Sequence, residues 1–156
     1  MMSRRLTVRI LTVLFLLSVL GCTVYQKPLP FHDVPFMERT QSKVDGEVRV
    51  TVAVLSAEES RQLFGVNLAA KDIQPVWVRV QNSDTIGYWL MSSGMDPDYF
   101  SPLEAAYAFH TTIGGSSSKK IDDHFRVMNF RNPIAPGTSV SGFVFTNRDN
   151  EMIGCR

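Results

Sequence analysis

Glu47-Val-Arg-Val-Thr-Val-Ala-Val-Leu55 alternates without a break, with valines at 48, 50, 52 and 54 and Arg49, Thr51 and Ala53 between them. Successive side chains of a β-strand point to opposite faces, so a period of two predicts a strand here. The valines are expected on a covered face and the intervening residues on a wet one. The period then changes at once. Ser56-Ala-Glu-Glu59 is a capping box: the serine hydroxyl takes the amide of Glu59, and the Glu59 carboxylate reaches back. A short helix from Ala57 to Phe64 should end at Gly65, which tolerates the left-handed conformation of a C-terminal cap.

Further along, Pro75 opens a second strand, Val76 to Gln81, with Val76, Val78 and Val80 on one face and Trp77, Arg79 and Gln81 on the other. Asn82-Ser-Asp-Thr85 reads as a turn, and Ile86 to Met91 as a third strand joined to the second by a hairpin. After a loop from Ser92 to Phe100, Ser101-Pro-Leu-Glu104 forms a second capping box with proline at the first helical position. Pro102 to about Phe109 should therefore be helical. Gly114 to Ser118 reads as a flexible break, and Lys119 to Met128 as another helix with Ile121, Phe125 and Met128 on one side. Pro136-Gly137 is a turn before a last strand, Ser139 to Thr146. The pattern predicts a mainly β fold over residues 47–156: an immunoglobulin-like antiparallel β-sandwich with one or two short helices inserted at 101–130. Asn147 to Asn150 reads as a turn, and Met152 to Gly154 is too short for the strand that should follow. The sheet is accordingly expected to be incomplete at the C-terminus, the chain being the front part of a longer protein or a truncated copy of one.

Toward the N-terminus the character changes. Residues 22–46 contain Pro28, Pro30 and Pro35 and hold no sustained period, which suits a semi-rigid tether, although Phe31, Phe36 and Met37 could rest on the domain. Before that, Arg4, Arg5 and Arg9 precede the uncharged run Ile10 to Leu20, the n-region and h-region of a secretory signal peptide over residues 1–21. Ser3-Arg4-Arg5 comes near a twin-arginine signal, but Thr7 and the strongly apolar run favour the general secretory route. Val19-Leu20-Gly21-Cys22 resembles the lipobox of bacterial lipoproteins. That resemblance implies cleavage before Cys22, acylation of its thiol and a membrane-lipid anchor; in a host with two membranes, Thr23 resembles the sorting pattern for the outer membrane, facing the periplasm.

The chain has 16 basic and 15 acidic residues; removing the three arginines of the signal leaves 13 against 15, a net charge of −2. Such a balance gives no footprint for nucleic acid. The two cysteines are Cys22 and Cys155, so a lipidated Cys22 leaves no disulfide partner. No nucleophile elbow, phosphate loop or dinucleotide fingerprint occurs, and no cofactor is expected.

Gly65-Val-Asn-Leu68, Ile73-Gln-Pro-Val-Trp-Val78, Asp96-Pro-Asp-Tyr-Phe-Ser-Pro-Leu-Glu104 and Ser141-Gly-Phe-Val-Phe-Thr-Asn147 together resemble the front domain of uncharacterised bacterial lipoproteins that carry an LssY-like C-terminal domain. The likeness spans about Asp45 to Asn147. It implies an envelope lipoprotein and brings no catalytic residues; the LssY-like domain has no counterpart in this sequence.

Three groups could carry chemistry or binding. Asp96 and Asp98 could share a hard cation such as Ca²⁺ and serve a metal-dependent envelope hydrolase, but alternate oxygen donors are too few, and capping of turns is the simpler role. Asp122-Asp123-His124 could form a metal or acid–base cluster, yet helical neighbours in sequence do not share a face, and Lys119 and Lys120 offer local ion pairs. His32 falls in the tether and His110 at a helix end. Trp77, Tyr88 and Trp89 could form an aromatic surface for a sugar or peptide; burial in a core is the alternative. The expected function is a non-catalytic binding or scaffolding module with an envelope protein or glycan as partner.

Overall fold

The computed structural model describes residues 25–110 and 116–148. The signal segment, Cys22 and the last residues with Cys155 lie outside that range. Four strands form one antiparallel sheet in chain order: β1 (Gln41–Asp45), β2 (Val48–Val54), β3 (Ile73–Asn82) and β4 (Ser139–Asn147). Among the described residues three α-helices accompany it: α1 (Ala57–Phe64), α2 (Pro102–Tyr107) and α3 (Ser116–Met128). The mainly β expectation holds as a four-stranded antiparallel sheet with few helices.

Register divides the sheet into two faces. The pairs Ala53↔Trp77 and Trp77↔Phe143 put these residues, with Phe145, on one face. The pairs Val50↔Val80, Val52↔Val78 and Val76↔Val144 put the valines on the other. The helices cover the first face. Phe64 of α1 meets Phe143, Phe145 and Phe125 of α3 with ring centroids 5.2, 5.4 and 4.9 Å apart, and all four rings are buried. The larger apolar area lies on this side, so the core forms here, and the valine alternation of β2 marks the more open face instead. Among the described residues no second sheet faces the first. The layer that an immunoglobulin-like sandwich would fill with strands is filled by α1, α3 and the segment before β1.

Both capping boxes are present, with Ser56 and Glu59 at α1 and Ser101 and Glu104 at α2. Gly65 closes α1 with φ +72°, its amide donating to Arg61 O. A Cβ there would also lie 2.1 Å from Gln26 O, so glycine is required twice over. The helix expected from Lys119 begins at Ser116, inside the stretch read as a flexible break.

The spacer expected at 22–46 is shorter than its composition suggests. Two 3₁₀ turns, Phe31–Asp33 and Pro35–Arg39, seat Val34 and Phe36 in the core beneath Trp77 and Phe143. Arg39 donates to both oxygens of Glu59, and residues 41–45 are β1. β1 is joined to β2 by a two-residue turn at Gly46 and Glu47, with φ +54° at Gly46.

The expected hairpin between β3 and Ile86–Met91 is absent, because β4 occupies that edge of β3 from Ile73 to Gln81. Ile86–Met91 instead crosses the valine face and makes one bridge, Tyr88↔Ile134. The outer edge of β4, expected to lack a partner, is met by two amides: Phe100 N donates to Phe145 O and Phe130 N to Phe143 O, each at 2.9 Å. The second contact depends on Gly142, where a Cβ would fall 2.5 Å from Phe130 Cα.

Candidate binding groove

On the valine face, Val78, Val80, Phe130, Ile134 and Val144 form a second, smaller core. Coverage stops short of β1 and half of β2. What remains is a groove of about 780 Å³. Its floor is Val48, Val50 and Val52, its far wall Tyr88, Trp89, Leu90 and Ile134, and its rim Lys43, Asp45, Glu47 and Asp84. A volume of this order and an apolar lining with a few polar rim groups are what a small-molecule or side-chain site needs.

The wall is held in place by side-chain amides. Tyr88 and Ile134 exchange two main-chain hydrogen bonds, of 3.0 and 2.8 Å. Two residues on, Asn132 does the same work with its side chain, accepting from Leu90 N at 2.9 Å and donating to Leu90 O at 3.0 Å. Asn82, at the end of β3, is buried; its Nδ2 donates to Ile86 O, Ala135 O and Ile134 O at 2.8, 3.2 and 3.3 Å, and its Oδ1 accepts from Asp84 N. One side chain thus ties both crossing segments to the sheet. Sequence reading placed Asn82 in a turn cluster and missed this role; its signal was an amide residue directly after an apolar strand.

At the rim, the Tyr88 hydroxyl donates to Asp84 Oδ2 at 2.7 Å. This bond holds the Asp84 carboxyl below its usual range, helped by the Thr85 amide, and pushes the Tyr88 phenol up, with desolvation and the Asp84 and Asp45 charges adding to it. The phenol is therefore a fixed donor and the carboxylate a fixed anion at neutral pH.

The three aromatics singled out in the sequence separate. Trp77 is 1 % exposed in the helix-side core, with Arg79 above its ring at 5.4 Å. Tyr88 and Trp89 are neighbours on the groove wall, and Trp89 is 65 % exposed.

Most of the carboxylates are engaged locally, while the Asp98 side chain lies exposed and only its main chain is bonded. Asp96 accepts from Asp98 N and from Asn147 N, at 2.9 and 2.7 Å, which pins its loop to the end of β4. Asp122, Asp123 and His124 diverge: Asp122 meets His110 at 2.8 Å, Asp123 meets Lys119, and His124 Nε2 lies 2.8 Å from Leu63 O, bracing α3 against α1. His32 lies exposed in the first 3₁₀ turn. Among the described residues no three His, Cys, Asp or Glu side chains gather closely enough to hold a metal ion, and no helix is long and apolar enough to cross a membrane.

No family model, curated protein or solved structure matches this chain.

Proposed function

We propose that this chain is an envelope lipoprotein, anchored through an acylated Cys22, whose domain binds an envelope partner and performs no reaction itself. The anchor rests on the arginines, the apolar run and Val19-Leu20-Gly21-Cys22. The resemblance to the front domain of LssY-associated lipoproteins points to the same compartment. Two acyl chains hold a protein on a bilayer stably where one does not.

The binding role rests on one observation, the half-open groove on the valine face. Val48, Val50 and Val52 are only partly buried, while Asn82 and Asn132 hold Tyr88, Trp89 and Leu90 rigidly beside them. A monomer gains nothing by leaving an apolar floor uncovered next to an exposed tryptophan; a ligand that covers both gives the arrangement a purpose. The hydrolase reading draws no support from Asp96, whose two oxygens already accept main-chain amides.

Two experiments test the proposal. Labelled palmitate should enter the wild type and not Cys22→Ser; equal labelling would remove the anchor. A photo-crosslinking residue at position 89 should capture a partner in intact cells, while one at Tyr107, somewhat more exposed on α2, should not. Equal capture at both positions would remove the groove.

A further inference from the structure

Resting on that reading of the groove and deepening it, we propose that its occupant is an extended peptide segment. It adds a strand to the free edge of β1 and lays alternate side chains toward the valine floor. β2 and β3 are paired on both sides, and the outer edge of β4 receives the Phe100 and Phe130 amides. The outer edge of β1 receives no such amide among the described residues. The two-residue turn makes Asp45 and Val48 a hydrogen-bonded pair, and alternation extends this to Lys43↔Val50 and Gln41↔Val52. Ser42 and Val44 therefore turn their N–H and C=O groups outward, and among the described residues nothing bonds to them. Natural edges are blunted by proline, bulges or charge. β1 has no proline and an unbroken register, and Lys43 is its only basic residue.

This edge opens into the groove. Gln41, Lys43 and Asp45 stand on the valine face, opposite Val52, Val50 and Val48. Ser42 also borders the groove, although Thr51 holds its hydroxyl on the other face at 2.7 Å, so it contributes main chain there. An added strand would satisfy the Ser42 and Val44 main-chain groups and cover the Val44 side chain, now 51 % exposed. Main-chain pairing supplies affinity in this mode of recognition, and alternate side chains supply specificity. Charge fixes the chemistry of the peptide. The rim sets Asp45, Glu47 and Asp84 against Lys43, so the segment carries apolar residues at alternate positions and a Lys or Arg near the β1–β2 turn.

The test selects binders of the purified full-length protein from a displayed library of random short peptides, then measures affinity by fluorescence anisotropy. Selected sequences should alternate apolar residues and include Lys or Arg. The Val44 amide faces away from β2, so Val44→Pro should leave the melting temperature unchanged. It should weaken binding by about tenfold or more, as expected for a lost main-chain hydrogen bond of roughly 1.4 kcal/mol. Asp45→Lys should abolish the preference for a basic residue. Should Val44→Pro lower the melting temperature, N-methylation of the peptide at alternate residues tests the same bonds from the other side. Binding that survives Val44→Pro or N-methylation but fails in Trp89→Ala would overturn edge pairing and leave the groove standing. Failure to enrich any peptide would also overturn it, as would a dimer by light scattering that Val44→Pro converts to monomer, which would make a second β1 the occupant.

Discussion

Replacing Glu59 by glutamine should loosen the segment before β1 from α1. Glu59 is 6 % exposed; its carboxylate receives Arg39 at 3.0 and 2.5 Å and takes the Ser56 amide at 2.8 Å. These contacts, the Arg39 hydrogen bonds foremost, hold its pKa at about 2 against an ordinary 4.5, in spite of burial. At about 1.36 kcal/mol per tenfold change in proton affinity, the difference sets a ceiling near 3.4 kcal/mol. Arg39 is half exposed and partly screened by solvent, which brings the expected contribution to about 1.5–2.5 kcal/mol. Because the folded pKa lies below the unfolded one, this stability is fully present above pH 4.5 and drains away as the pH falls toward 2. Glutamine keeps an oxygen for the Ser56 amide, so the variant spares the cap while removing the charge and one Arg39 hydrogen bond. Urea unfolding of wild type and Glu59→Gln should differ by the full amount at pH 7 and by less than half of it near pH 3. A difference that does not change with pH, or none at pH 7, would refute the reasoning.

Gly65→Ala should cost about 1–3 kcal/mol, through left-handed strain and displacement of Gln26, and lower the urea midpoint accordingly. Asn82→Ala leaves Ile86 O without its donor, Ile134 O and Ala135 O keeping those of Tyr88 and Thr138, and should cost about 1–3 kcal/mol; amide exchange at Tyr88 and Ile134 should speed up more than at Trp77. Ser101→Ala should cost about 0.5–2 kcal/mol, with an unchanged denaturation midpoint showing that the cap on α2 contributes nothing.

The strands with alternating apolar residues, β2 to β4, were legible in the sequence, and so were both capping boxes, because each signal is local. β1 was not: Gln41-Ser-Lys-Val-Asp45 has one apolar side chain and is held through its main chain against β2, a feature without a compositional trace. Ile86–Met91 looks like a strand since it is extended and apolar, yet which neighbour wins the edge of β3 depends on β4, more than fifty residues away. The proline-bearing stretch before β1 hides its burial because only Val34 and Phe36 go fully inside. At the site, Trp77 and Trp89 are equivalent in composition and separate only once register assigns a face. Asn82 acts through contacts with residues fifty-two and fifty-three positions on, beyond any local pattern.

The claim that the valine face is where this protein binds is tested most directly by the indole and valine-methyl NMR signals of the full-length protein in detergent micelles. Soluble cell-wall glycan strands and the selected peptides are added in turn. Trp89, Val48, Val50 and Val52 should shift with at least one of these probes while Trp77 stays unmoved. Shifts centred on the helix side or on Asp96 and Asp98, with Trp89 silent, would contradict the account.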